Sequence, residues 1–201
     1  MSDVGKPNYV PDRMYARLFQ PWTLPIDEWT HCHDDWARVD AIAKLPWKGR
    51  LLDFGAGDGT LAAMVCSRNP LVNRVQCIEQ DQRQIAKAQT VWAQWPIHIS
   101  DMPLSLEQRS YDGALCCEVL EHLTEEGGHM TLQAIHKVLK PGSMFCVTVP
   151  YEKGSRAEYP GHIRKFSWAS LGAMLREAGF APSESRTTDI KGIWLMAIVH
   201  A

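Results

Sequence analysis

No C-x-x-C pair occurs among the six cysteines, at positions 32, 66, 77, 116, 117 and 146, and several of them fall inside apolar runs. Buried thiols of that kind behave as small hydrophobes, which points to a reducing compartment rather than a disulfide framework. No apolar stretch approaches the roughly 20 residues that a membrane span needs. The opening Met1-Ser2-Asp3-Val4-Gly5-Lys6-Pro7-Asn8 has no apolar signal core, so a cytoplasmic, membrane-free protein is expected. Excess charge is absent too: the formal net charge is −2, which removes any global case for nucleic acid or anionic lipid as partner and leaves only a local patch. Internal repeats and low-complexity tracts are also missing.

What remains is ordinary globular material: 201 residues, 45% hydrophobic and 22% charged, enough for one domain with a proper core. Residues 1–33 differ in texture from the rest. Tyr9, Tyr15, Phe19, Trp22 and Trp29 lie among Pro7, Pro11, Pro21 and Pro25. That composition suits an irregular arm whose aromatics either anchor it to the body or form a lid over a pocket.

From residue 34 the periodicity is regular. Trp36, Val39, Ile42 and Ala43 share a helical face, closed by Pro46 and Gly49. Strands are expected at 50–54, 74–79, 96–101, 111–117 and 144–149, with helices after Gly59, around Ile85–Trp95 and over 130–139. Lys140-Pro141-Gly142-Ser143 reads as a turn. A last helix carries Trp168, Leu171, Met174, Leu175 and Ala178, with Ser167 as N-cap and Gly179 at C′. Two final strands, near 182–187 and 194–199, form a hairpin. The alternation predicts an α/β fold with a mostly parallel sheet, helices on both faces and an antiparallel C-terminal pair.

Leu51-Leu52-Asp53-Phe54-Gly55-Ala56-Gly57-Asp58-Gly59-Thr60-Leu61 is the most informative stretch. Three glycines alternate between a strand and a helix start, where φ > 0 or close ligand approach is needed and backbone N–H groups converge. A dinucleotide fingerprint, G-x-G-x-x-G, wants its third glycine at 60, and Thr60 stands there instead, which disfavours a nicotinamide dehydrogenase. The D-x-G-x-G-x-G form resembles motif I of the class I S-adenosylmethionine (SAM) methyltransferases. The order of seven strands is similar to their Rossmann-like sheet over roughly residues 35–201.

That resemblance implies a cofactor site at the carboxyl ends of the strands. Asp53, Gly55, Ala56 and Gly57 form its glycine loop. Glu79, followed by Gln80, ends strand two and is expected to accept from both ribose hydroxyls. Asp101 and Met102 end strand three, at the adenine, although an Asp there also serves as a simple cap. Cys117 lines the site, and Arg38 reaches the cofactor carboxylate or else makes an exposed salt bridge.

Strand four runs into Glu118-Val119-Leu120-Glu121-His122, which resembles the E-V-L-E-H signature of small-molecule methyltransferases such as the ubiquinone-biosynthesis O-methyltransferases. If Glu118 opens a helix, Glu121 and His122 fall on its face. Three roles stay open: the two carboxylates and His122 hold a divalent cation, His122 acts as general base, or both are structural. Gly161-His162-Ile163-Arg164-Lys165-Phe166-Ser167 resembles the acceptor loop of the same enzymes, so His162 joins Glu118, Glu121 and His122 as a candidate catalytic residue and Arg164 as a substrate contact. Metal-dependent RNA ribose 2′-O-methyltransferases carry a histidine where Arg164 stands, which counts against that alternative. The basic residues Lys153, Arg156, Arg164 and Lys165 suit either a solvated loop or an anionic acceptor. The expectation is SAM-dependent methylation of O or N, with C as a further option, on a small-molecule acceptor. A SAM-binding module without turnover is the rival of another class.

Overall fold

The computed structural model describes residues 34–101, 107–159 and 161–201. The aromatic arm expected over 1–33, together with Met102, lies outside the described residues. In chain order the elements are α1 (Asp34–Ala43), β1 (Gly49–Phe54), α2 (Thr60–Arg68), β2 (Val72–Ile78), α3 (Gln82–Val91), β3 (Ile97–Ser100) and β4 (Tyr111–Cys117). A 3₁₀ turn (Leu120–His122), α4 (Glu125–Val138), β5 (Leu139–Pro150), α5 (Trp168–Glu177), β6 (Ala181–Ile190) and β7 (Trp194–His200) complete the chain.

The seven strands form one sheet in the order β3-β2-β1-β4-β5-β7-β6. The pairs through β5 are parallel, while β7 runs antiparallel to both β5 and β6. Side-chain alternation sorts the core into two layers. Leu51, Leu115, Cys117, Cys146, Trp194 and Met196 face α1, α2 and α3, whose Trp36, Met64 and Ile85 cover them together with Trp92 at the C-cap of α3. Leu52, Ala114, Cys116, Phe145, Val147 and Leu195 face α4 and α5 through Leu132, Ile135, Leu171 and Met174. The five described cysteines are free and buried, and no helix among the described residues is long and apolar enough to cross a membrane.

Two elements differ from the sequence expectation. Helix α4 starts at Glu125, earlier than 130, because Thr124 caps it by accepting from Gly127 N. Its first turn hides behind Gly127 and Gly128, poor helix formers. A Cβ at Gly128 would lie 2.7 Å from Met174 Cε and 3.1 Å from the Arg164 guanidinium, so the ends of those two side chains pack over this turn. The Lys140–Ser143 turn is absorbed into β5 as an irregularity: Tyr111 pairs with Leu139 but Gly113 with Met144, and Gly142, at φ 75°, donates to the Ala201 carbonyl.

Candidate active site

The sheet order reverses between β1 and β4, and ligands of open α/β sheets lie at the strand ends beside such a point. Gly55, Gly57 and Gly59 come after β1 with φ of 75°, 55° and 76°, all left-handed. Gly55 and Ala56 donate their N–H to the Ile78 carbonyl, which folds the loop across the end of β2. A Cβ at Gly55 would strike Val119 Cγ2 at 2.3 Å, whereas one at Gly57 would meet nothing within 4 Å. The backbone at Gly57 is therefore the open part of the cradle. Thr60, which breaks the dinucleotide pattern, donates its hydroxyl to Asp58 Oδ1 at 2.7 Å, while Lys87 of α3 pairs with Asp58 Oδ2 at 2.8 Å.

Glu79 sits immediately after β2 and clamps this loop. One carboxylate oxygen accepts from Gly57 N at 2.8 Å, the other from Gln80 N and Asp81 N at 2.7 and 2.9 Å. Three of the carboxylate's roughly four lone-pair sites are taken, which leaves the oxygen that meets Gly57 with capacity for one ligand hydroxyl. Gln80 is exposed. Asp101, also exposed, lies just after β3 and accepts from Gln82 Nε2 at 2.9 Å. Asp53, 1% exposed, keeps Oδ2 without a hydrogen-bond partner. Burial above all, then the nearby Glu79 charge, raises its pKa to about 7 against the opposing pull of Arg38. A buried carboxylate oxygen with no donor is a place for a cationic or hydrogen-bonding ligand group. These features fit the cofactor that the loop predicts.

Arg38 is not on the surface, so the exposed salt bridge is ruled out. It is 4% exposed, and its guanidinium reaches Thr148 Oγ1 at 3.5 Å and lies 5.7 Å from the centre of the Trp194 ring. Thr148 in turn donates to Glu118 Oε1 at 3.1 Å, and Trp194 Nε1 donates to Glu118 Oε2 at 2.9 Å. Sequence reasoning missed Thr148 and Trp194. A lone hydroxyl in the apolar run Phe145–Val149 was the available signal for Thr148.

Glu118 does not open a helix. It continues the β4–β5 ladder by donating its N–H to the Thr148 carbonyl, then takes φ 59°. This left-handed step is costly for a residue with a Cβ. It turns the chain so that Glu118 faces Arg38's neighbours, while Glu121 and His122 belong to the separate 3₁₀ turn. The metal set of Glu118, Glu121 and His122 suggested by the sequence is thus not assembled.

A different set is. Glu121, His122 and His162 each present a donor atom, all within 4.8 Å of one another. Glu121 is 1% exposed and neither carboxylate oxygen has a hydrogen-bond partner. Burial first, and Glu118 next, hold its carboxyl well above the usual carboxylate range. Its backbone carbonyl accepts from Ile163 N and Arg164 N, pinning the 161–164 loop beside it. His162 Nε2 lies 3.9 Å from Glu121 Oε1, and the His122 and His162 rings meet edge-on at 4.8 Å. Burial, then the His122 charge, keeps the His162 pKa below its ordinary value. Arg164 turns inward, its guanidinium 4.9 Å from the Phe166 ring centre and 3.7 Å from Met174 Sδ, and Lys165 pairs with Glu158.

Residues 33–185 match the family model described as a methyltransferase domain. The chain belongs to this methyltransferase family. Uncharacterized methyltransferases of Mycobacterium bovis and Mycobacterium tuberculosis are 30% identical over 163 residues, covering 80% of this chain and 75% of theirs. Two solved structures share the fold. A putative Haloferax volcanii methyltransferase in complex with its Trm112 activator aligns with a TM-score of 0.71 and 17% identity, over 94% of this chain and 96% of that one. A Burkholderia thailandensis 1,6-didemethyltoxoflavin-N1-methyltransferase, with its acceptor and S-adenosylhomocysteine bound, aligns at 0.66 and 21%, over 98% and 92%. This methyltransferase is a SAM-dependent enzyme with the seven-stranded Rossmann-like sheet of its family.

Proposed function

We propose that this methyltransferase transfers the SAM methyl group to an oxygen or nitrogen of a small-molecule acceptor. The observation that carries the reading is the buried Glu121 carboxylate, without hydrogen-bond partners, set beside His122 and His162 just beyond β4. Such a group is retained at a cost of several kcal/mol unless a ligand or function uses it. The bound cofactor supplies a methyl already activated on a sulfonium, so the chain's own contribution is mainly placement.

In this reading Gly55, Ala56 and Gly57 cradle the cofactor, Asp53 and Arg38 frame its charged end, and Glu79 with Gln80 holds the ribose. Asp101 and Met102 hold the adenine, and Cys117 lines the site between them. Glu118, fixed by Thr148 and Trp194, shapes the wall from which Glu121, His122 and His162 face the acceptor. His162, its pKa lowered, is suited to accept the acceptor's proton. A small acceptor is supported by the compact donor cluster and by the inward turn of Arg164, which leaves little basic track for a polynucleotide. The heterocycle bound by the Burkholderia relative is of that class.

The test is incubation with methyl-labelled SAM and fractionated cell extract, with and without chelator. Label is expected in the low-mass fraction. Label confined to RNA, and only in the presence of metal, overturns the small-molecule reading in favour of a metal-assisted ribose methyltransferase.

A further inference from the structure

Three parts of the proposed cofactor site, the glycine loop, Glu79 and Asp101, are all tied to one helix, α3. Asp81, its N-cap, donates its N–H to Glu79 Oε1 at 2.9 Å. Gln82, the first helical residue, donates through Nε2 to Asp101 Oδ2 at 2.9 Å. The loop is tied further along the helix. Lys87 Nζ pairs with Asp58 Oδ2 at 2.8 Å, and Trp92 Nε1, at the C-cap, donates to the Asp58 carbonyl at 2.7 Å. Thr60 adds its hydroxyl and its N–H on Asp58 Oδ1. Asp58 thus accepts on both carboxylate oxygens and on its main-chain carbonyl. Gly59 permits the close approach, since a Cβ there would lie 3.0 Å from Trp92 Cδ1. Gly57, whose backbone faces open space, is thereby held on both sides: at its N–H by Glu79, and at the next residue by α3. The Lys87 and Asp58 side chains are 32% and 15% exposed, so water screens this pair less than a fully exposed one.

We infer that Gln82, Lys87 and Trp92 are positioning residues for the nucleoside part of the cofactor. Lys87 and Trp92 fix the loop at Asp58, and Gln82 fixes the Asp101 carboxylate toward the base. The inference rests on the methyl-transfer reading, in which Glu79 and Asp101 hold that nucleoside. It gives the residues different effects. Lys87 acts on the loop, which any analogue of the cofactor uses, so its loss weakens them all alike. Gln82 acts at one edge of the base. A carboxylate only accepts, so the Gln82 amide nitrogen is the end that faces it. With Oδ2 held in this way, Asp101 Oδ1, which has no hydrogen bond to a described residue, is the open acceptor. It accepts from an exocyclic amino group and repels a carbonyl oxygen in the same place. Without Gln82 the exposed carboxylate turns more freely, and that selection fades.

The experiment is calorimetric titration of the full chain with S-adenosylhomocysteine and with its deaminated analogue, S-inosylhomocysteine, which carries a carbonyl in place of the amino group. The wild-type chain is expected to prefer S-adenosylhomocysteine. Lys87→Met should weaken both ligands by about three- to tenfold, the span of one net polar interaction, and leave their ratio unchanged. Lys87→Arg, which keeps the charge, should restore most of the affinity. Gln82→Leu should narrow the preference between the two ligands by about the same factor. A merely structural loosening would weaken both and leave the preference where it was. Methionine and leucine are good helix formers, so both variants keep α3, and circular dichroism checks that they fold. Unchanged affinity in Lys87→Met, or no recovery in Lys87→Arg, overturns the role of Lys87. No preference in the wild-type chain, or an undiminished one in Gln82→Leu, overturns that of Gln82. Failure of the wild-type chain to bind S-adenosylhomocysteine is a separate result: it overturns the cofactor assignment itself, and the inference with it.

Discussion

Acids at the strand ends set the character of the site residue by residue, and their surroundings differ. Glu118, half-buried, accepts hydrogen bonds from Thr148 and Trp194 on its two oxygens, with Arg38 one step behind. Asp53 has no such set, and its pKa of about 7 reflects burial first and Glu79 second. A carboxyl whose pKa is raised on folding stabilises the native state fully only below its unfolded value near 4, and that stability is lost as pH rises to about 7. Asp53→Asn should therefore flatten the fall in stability of the ligand-free enzyme between pH 4 and 7. The slope removed is at most about 1.4 kcal/mol per pH unit, measurable by urea titration at several pH values. An unchanged slope would refute the assignment. Glu79→Ala is expected to weaken SAM binding by more than about tenfold, since it removes a charged acceptor and the clamp that its carboxylate makes on Gly57 N, Gln80 N and Asp81 N. Calorimetry checks this, and full retention of affinity would sink the role given to Glu79.

Elements show why similar residues in one motif do different work. The glycine loop is left-handed at all three glycines, yet only Gly57 faces open space. Gly55→Ala collides with Val119 and should lower the melting temperature markedly. Gly57→Ala carries only the left-handed penalty of about 1 kcal/mol, and its methyl enters the cradle. It should fold and lose cofactor affinity; the opposite ordering of the two variants in melting and binding assays would contradict this division. At the start of α5, Ser167 accepts from Ser170 N at 3.2 Å while Ser170 Oγ accepts from Ser167 N at 3.0 Å, a reciprocal cap. Ser167→Ala should cost about 1 kcal/mol in urea unfolding, without touching the site.

At the scale of the whole molecule, the two core layers sandwich the sheet, and the proposed site draws on the loops at the carboxyl ends of β1, β2 and β4. Ligand binding should therefore stabilise the entire domain. S-adenosylhomocysteine at a hundred times its Kd is expected to add about 2.7 kcal/mol, seen as a higher melting temperature, and the gain should shrink in Glu79→Ala. A ligand that binds without raising the melting temperature would mean that the pocket is not coupled to the fold.

The chain's local pattern alone determined the strand–helix alternation, the glycine loop, the cap at Ser167 and the placement of Glu79 and Asp101 at strand ends. All of these arise from periodicity and backbone sterics within a few residues. It did not reveal that α4 begins at Glu125, because Gly127 and Gly128 in its first turn look like breakers in one dimension. Nor did it divide the acidic residues after β4. Helical spacing grouped Glu118 with Glu121 and His122, but sheet hydrogen bonding carried Glu118 past the end of the strand and a left-handed turn set it apart. Only the tertiary structure brought His162 to Glu121 and buried Arg38 against Thr148 and Trp194. Contacts between positions tens of residues apart depend on which strand ends lie side by side, and no local periodicity encodes that.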